Sequence, residues 1–232
     1  MKIGGFQKLS TVDYPGHLCC TIFLMGCNLR CKFCHNPRLV NMPDDHTENV
    51  TPEDIITFLE KRKGILEGVC ISGGEPTVHK DLESFIRQIK VMGYKVKLDT
   101  NGTNPEVIKN LIDQGLINYV AVDIKATAEK YEEVAGCWVN TDNIKKTIEI
   151  VMNSKVDYEF RTTFLPDLDE KDINEIAKSL AGSKRYVVQQ FRNNTTLSEE
   201  YISRKPYDPQ YIRNVADSIK PLFASCEVRG IQ

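Results

Sequence analysis

The sequence lacks the features that mark several large classes of protein. Thirty basic and 32 acidic side chains leave a formal charge of −2, and no segment concentrates lysine and arginine as a nucleic-acid-binding surface does. The longest apolar run, residues 18–25, is interrupted by Thr21 and is far shorter than the roughly 20 residues that span a bilayer. The N-terminus has neither the apolar core nor the cleavage site of a signal peptide. We therefore expect a cytoplasmic protein that binds neither nucleic acid nor a membrane.

Common catalytic motifs are missing as well. The sequence has no nucleophile elbow, no H-E-x-x-H helix and no Walker loop, and it contains no linker or low-complexity stretch. A chain of 232 residues with 41% hydrophobic content can bury one sizeable core, so we predict a single domain over residues 1–232. Within it, residues 1–17 are predicted to be an N-terminal appendage that leads into the first strand.

The rest of the chain alternates strand-like and helix-like segments, which is typical of a parallel sheet. Helix starts are predicted at Thr51-Pro52, Asn104-Pro105 and Asp208-Pro209, because proline is favoured in the first helical turn. Six βα units are fewer than the eight of a closed barrel, so we predict an α/β fold, a partial (β/α)6 TIM-like barrel with an open parallel sheet and outer helices. The predicted strands are LCCTIFLMG, GVCISGGEP, KVKLDTNG, YVAVDIKA, DYEFRTTFLP, RYVVQQF and a short last strand near CEVRG.

Three cysteines lie close together after the first predicted strand. Cys27, Cys31 and Cys34 have the spacing C-x3-C-x2-C, whereas the other five cysteines are scattered. The triplet alone is compatible with a [4Fe–4S] cluster, with a structural zinc site completed by His35, or with unligated thiols. Zinc is disfavoured because the side chains of Cys34 and His35, adjacent in sequence, point apart. With only three protein ligands, a cluster would keep one iron open, which is typical of catalytic metal sites.

The motif C-x3-C-x-aromatic-C, with Phe33 as the aromatic residue, resembles that of the radical S-adenosylmethionine (SAM) enzymes. The longer segment GFQKLSTVDYPGHLCCTIFLMGCNLRCKFCHNP is similar to the activating proteins of anaerobic ribonucleoside-triphosphate reductases and related glycyl-radical enzymes. This resemblance covers most of the chain, including the tail IKPLFASCEVRGIQ. It implies that Cys27, Cys31 and Cys34 bind a [4Fe–4S] cluster, and that the methionine part of SAM chelates the open iron.

The resemblance also assigns roles to motifs at the ends of later strands. Taken singly, GGEP would be a glycine turn, the aspartates of DTNG and DIK would be turn or cap residues, and Lys125 would be solvated. The carboxyl ends of barrel strands form one face, however, so these motifs should meet there. The resemblance implies SAM binding, with a monovalent cation as a possible addition near the SAM carboxylate. The implied cofactor-binding residues are Phe33, His35, Gly73, Gly74, Glu75, Asp99, Asn101, Asp123, Lys125 and Arg161.

The implied activity is that of an activating enzyme. A reduced cluster donates an electron to SAM and cleaves it to methionine and a 5′-deoxyadenosyl radical, which removes a hydrogen atom from a glycine α-carbon of a partner protein. Reduced flavodoxin or ferredoxin is the implied electron donor. One alternative is a radical SAM enzyme for a small molecule or peptide, which the absence of a second cysteine cluster and of a further domain after the last strand disfavours. A remote alternative is a zinc-binding interaction module.

Overall fold

The sheet is the central element of the computed structural model, which describes residues 1–41 and 50–231. Strands β2 to β8 are parallel, and β1 pairs antiparallel with β2. The strands lie side by side in sequence order, and β1 and β8 form the two edges. The predicted open, largely parallel α/β barrel is therefore confirmed. The strands are β1 (Ile3–Ser10), β2 (Cys19–Leu24), β3 (Gly68–Gly73), β4 (Lys95–Thr100), β5 (Tyr119–Asp123), β6 (Asp157–Phe164), β7 (Arg185–Gln190) and β8 (Ser225–Arg229).

Helices connect the parallel strands. The predicted helix starts at residues 51–52, 104–105 and 208–209 are confirmed. Thr51 and Asp208 accept backbone N–H groups as N-caps, but the Asn104 amide instead donates to Thr77 Oγ1 at 2.9 Å. The helices are α1 (Pro37–Val40), α2 (Pro52–Glu60), α3 (Leu82–Val91), α4 (Pro105–Asp113), α5 (Tyr131–Ala135), α6 (Thr141–Met152), α7 (Glu170–Ser179), α8 (Glu199–Ile202) and α9 (Pro209–Ile219).

The N-terminal segment forms a strand of the sheet. Residues Ile3–Ser10, predicted only as part of an appendage, form β1, whose register pairs Ile3 with Leu24 and Ser10 with Cys19. Ile3 and Ser10 are buried, whereas residues 7–9 are exposed. Because an edge strand is covered on one side only, its hydrophobic pattern is weak, which explains why the sequence alone does not reveal this strand.

The two faces of the sheet differ in character. Side chains alternate between the faces, and one set, including Ile22, Ile71 and Leu98, is fully buried in the main hydrophobic core. On the other face, Cys19, Cys70 and Tyr119 form a small separate cluster. Charged side chains follow this cluster toward the carboxyl ends of the strands. Among the described residues, no helix combines the length and apolar character needed to cross a membrane.

Candidate active site

The cysteine loop begins where β2 ends and is held on both sides by backbone hydrogen bonds. The chain turns at Gly26, whose φ of 94° favours glycine. Gly26 N donates to Leu39 O at 2.7 Å and Cys27 N donates to Val40 O at 3.1 Å. On the other side, Gly26 O accepts the N–H of Glu75 at 2.8 Å. The start of the loop is therefore fixed between α1 and the segment that follows β3.

The three thiols lie at the inner side of this loop, and none is in a disulfide. Cys31 is buried, while Cys27 and Cys34 are half-buried. Burial raises the pKa of Cys31 to about 12 and also raises the pKa of Cys27, so the thiols must release protons when they bind a metal. Within residues 1–41 and 50–231, no three His, Cys, Asp or Glu side chains converge on one ion position. Cysteine thiolates at such short spacings are the ligands that iron–sulfur clusters take.

One cavity of about 240 Å³ adjoins the cysteine loop. It is bounded by the carboxyl ends of several parallel strands, where barrels of this kind place their functional groups. Apart from Glu75, every site residue named from the sequence lines this cavity: Cys27, Cys31, Cys34, Phe33, His35, Gly73, Gly74, Asp99, Asn101, Asp123, Lys125 and Arg161. Gln189, to which the sequence assigned no contact, also lines it, as do Ser72 and Thr163. The fold thus brings the separate motifs to one place, and their individual roles stay predictions.

The two glycines of GGEP are required by close backbone packing. A Cβ atom at Gly73 would lie 2.3 Å from the backbone of Leu24, and one at Gly74 would lie 2.1 Å from the carbonyl oxygen of Gly26. The resemblance implies that these glycines bind SAM. The structure adds a second reason, because they let the end of β3 lie directly against the start of the cysteine loop.

Glu75 lies behind the cavity wall. Its side chain is fully buried, and the carboxylate accepts hydrogen bonds from Thr77 N at 3.0 Å, Thr100 Oγ1 at 2.7 Å and Asn101 N at 2.6 Å, as well as from Thr77 Oγ1. Burial raises its pKa, although these donors oppose that effect. With its oxygens occupied by the protein, Glu75 joins the ends of β3 and β4. Its carboxylate contacts two residues that line the cavity, Thr100 and Asn101.

A second bridge, which no sequence motif predicts, connects β4 to the cysteine loop. Asn101 Nδ2 donates to Asn28 Oδ1 at 2.9 Å, and Asn28 Nδ2 donates to Thr103 Oγ1 at 2.8 Å. Asn28 is not among the site residues named from the sequence. The pairing of two side-chain amides fixes the loop relative to the carboxyl end of β4.

An interior ion-pair network extends from the cavity wall into the barrel. It is defined here as Lys97, Asp99, Asp123, Lys125, Glu159, Arg161 and Arg229, of which Asp99, Asp123, Lys125 and Arg161 line the cavity. Arg161 Nε lies 2.7 Å from Asp123 Oδ1, and its Nη1 lies 3.5 Å from Asp99 Oδ2. Lys125 Nζ is 3.0 Å from Asp123 Oδ2, and Lys97 pairs with Asp99 Oδ1. Lys97, a charge inside the barrel at mid-strand, was not predicted as a site residue.

Electrostatics keeps both aspartates ionised. Burial works against the charge of Asp123, but Arg161 and Lys125 hold its pKa well below the usual range. Burial likewise opposes the charge of Asp99, yet Arg161 and Lys97 lower its pKa. The mutual repulsion of the two carboxylates is therefore offset by the protein's own cations. Both signs of charge stand side by side in the wall of the cavity.

Comparisons with known proteins show which family the chain resembles. The model of the radical SAM superfamily matches residues 21–180. A Methanocaldococcus jannaschii protein whose name assigns it to the glycyl-radical enzyme activating enzymes is 40% identical over 205 residues, which are 86% of this chain and 83% of that protein. The pyruvate formate-lyase-activating enzyme of Listeria monocytogenes is 31% identical over 117 residues, or 47% of each chain.

A solved structure shows the same fold. The crystal structure of Streptococcus suis SuiB bound to S-adenosylmethionine is similar with a TM-score of 0.68 and 18% identity. The match covers 89% of this chain and 49% of that one, so this chain spans about half the length of SuiB. At this level of identity, the similarity concerns the fold alone.

Proposed function

The chain belongs to the radical SAM superfamily, and from that premise we propose that it installs a glycyl radical on a partner protein such as anaerobic ribonucleoside-triphosphate reductase. The similarity to proteins named as glycyl-radical enzyme activating enzymes supports this class of partner. The observation that carries the proposal is the single cavity in which three free thiols adjoin a wall of paired charges. Radical chemistry of this kind requires a cluster and SAM side by side.

The donor set fits the cluster and SAM. The Cys27, Cys31 and Cys34 thiolates would hold three irons of a [4Fe–4S] cluster. When bound, the cluster and SAM supply the radical chemistry, namely reductive cleavage of SAM and hydrogen-atom abstraction from glycine. The chain's own residues bind, orient and shield these groups. The backbone bonds at Gly26 and Cys27 attach the start of the cysteine loop to α1.

The charged wall suits the amino-acid end of SAM. That end is a zwitterion, with an ammonium and a carboxylate only a few bonds apart. The carboxylates of Asp99 and Asp123 attract the ammonium, and the cations of Lys125 and Arg161 attract the carboxylate. A monovalent cation is not needed for charge balance, because each aspartate already contacts two cationic side chains.

A second cavity provides access for a protein substrate. This cavity, of about 420 Å³, shares His35, Thr163 and Gln189 with the first, so the two adjoin. It lies at the ends of β7 and β8, on the side where the barrel is open. We propose that the glycine-bearing loop of the partner enters here. Reduced flavodoxin or ferredoxin is the proposed electron donor, and the cytoplasm, where thiols stay reduced, is the proposed compartment.

The test is SAM cleavage by the reconstituted protein. Anaerobic loading with iron and sulfide, chemical reduction and addition of SAM should give 5′-deoxyadenosine. Cys31→Ala should abolish this product, whereas the matched control Cys226→Ala, a half-buried thiol on β8, should retain it. A protein that holds zinc and cleaves no SAM would contradict the proposal.

A further inference from the structure

The last strand reaches into the barrel through one arginine. Arg229 on β8 binds Glu159 on β6 with both ends of its guanidinium, Nη1 to Oε1 at 2.9 Å and Nη2 to Oε2 at 2.8 Å. Glu159 is only 1% exposed, and paired, parallel hydrogen bonds of this type are among the strongest that a carboxylate accepts. Arg229 therefore neutralises a buried charge two strands away.

Glu159 stands next to the arginine of the predicted SAM site. Its Oε1 is 3.8 Å from Arg161 Nη1, and its Oε2 accepts from the Tyr119 hydroxyl at 3.1 Å. Arg161 thus has three carboxylates within reach, and its shortest contact is with Asp123. Burial opposes the charge of Glu159, but Arg229, Arg161 and Lys97 together lower its pKa.

Loss of Arg229 would change which carboxylates Arg161 contacts. A buried carboxylate without its partner is strongly destabilising, and the nearest guanidinium able to compensate is Arg161. As Arg161 moves toward Glu159, it must weaken its contacts with Asp123 and Asp99. The geometry of the cavity wall consequently depends on a residue of the edge strand.

We propose that Arg229 is a positioning residue for SAM binding, because it satisfies Glu159 and so leaves Arg161 paired with Asp123 and Asp99. This inference rests on the proposed function, which places the charged end of SAM at those two aspartates. It assigns Arg229 no direct contact with SAM. It also gives strand β8 a role in the site, although the last site residue named from the sequence is Arg161 on β6.

The experiment compares SAM binding by reconstituted wild type, Arg229→Met, Glu159→Gln/Arg229→Met and the control Arg185→Met, using equilibrium dialysis and iron content. Arg185 is a half-buried arginine on β7 that pairs with Glu227 at 3.6 Å. Arg229 also contacts Glu227, at 3.2 Å, so this control disturbs the Glu227 contact and leaves the Glu159 contact in place. Arg229→Met should weaken SAM binding roughly tenfold at unchanged iron content, as expected when a buried ion pair loses one partner. The double variant should return to within about threefold of wild type, because the competing carboxylate is gone.

The outcomes distinguish a failure of the proposed function from a failure of the positioning role of Arg229. If wild type loads its cluster but does not bind SAM, the proposed function itself fails. If wild type binds SAM and Arg229→Met binds it equally well, or if the double variant stays as weak as Arg229→Met, the positioning role is refuted. If Arg229→Met does not fold, Arg229→Lys replaces it, because lysine keeps the charge but loses the two-point contact. Arg229→Lys must then bind SAM more weakly than Arg185→Met for the inference to stand.

Discussion

Gly74→Ala should damage both the stability of the protein and its ability to take up a cluster. The added Cβ would lie 2.1 Å from Gly26 O and 3.0 Å from Leu39 O. Both atoms belong to the backbone that fixes the cysteine loop, so neither can rotate away. Relief requires the end of β3 to move and to weaken two hydrogen bonds, Gly74 N to Leu24 O and Glu75 N to Gly26 O, each 2.8 Å.

The magnitude follows from these contacts. Overpacking typically costs about 1–3 kcal/mol, and each weakened hydrogen bond adds up to about 1 kcal/mol. A loss of about 3 kcal/mol corresponds to a fall in Tm of roughly 6–12 °C for a chain of this size. Thermal unfolding of the metal-free protein, followed by iron analysis after reconstitution, measures both effects.

A matched control shows whether steric overlap is the cause. Gly5→Ala, on β1, places its Cβ no closer than 3.4 Å to any atom other than its own chain neighbours, so it should change stability by less than about 1 kcal/mol. If Gly74→Ala unfolds at the same temperature as Gly5→Ala and takes up the same amount of iron, the account of this loop is refuted.

Two further substitutions test the inner wall of the site. Glu75→Gln should lower the free energy of unfolding by about 1–3 kcal/mol in urea titrations. The N–H₂ group of the new amide cannot accept the hydrogen bonds that donors such as Asn101 N give to the carboxylate, so some of these bonds are lost. An unchanged urea midpoint would contradict this. Asp123→Asn should weaken SAM binding roughly tenfold, whereas Asp142→Asn, at an exposed pair on α6, should leave it unchanged. Since the folded-state pKa of Asp123 lies below its unfolded value, the stability from its ionisation is present above about pH 4 and is lost as the pH falls further. Urea midpoints should therefore be measured from neutral to acidic pH. Below about pH 4 the midpoint of Asp123→Asn should change less with pH than that of wild type. Identical curves would refute the pairing of Asp123 with Arg161 and Lys125.

Much of the fold could be predicted because its signals are local in sequence. Apolar runs of strand length, helix-starting prolines and the spacing of Cys27, Cys31 and Cys34 each lie within a short segment. Their convergence followed from the rule that parallel strands present their carboxyl ends on one face. Strand β1 escaped prediction because one side of an edge strand faces solvent and blurs the pattern.

The connections between motifs could not be predicted in the same way. The contact of Arg229 with Glu159 spans 70 residues and depends on the register of three strands. The buried position of Glu75 was equally hidden, since glutamate is seldom fully buried. Only the packed structure shows that four donors surround it. Local patterns thus named residues that the structure brings to one cavity, and long-range packing determines how they are held.

The most direct test of the central claim is electron paramagnetic resonance of a candidate glycyl-radical partner mixed anaerobically with the reconstituted, reduced protein and SAM. The account predicts a glycyl radical signal on the partner that requires SAM and Cys31, and that disappears when the acceptor glycine of the partner is replaced by alanine. SAM cleavage to 5′-deoxyadenosine without any radical on anaerobic ribonucleoside-triphosphate reductase or another glycyl-radical enzyme would contradict the activating role.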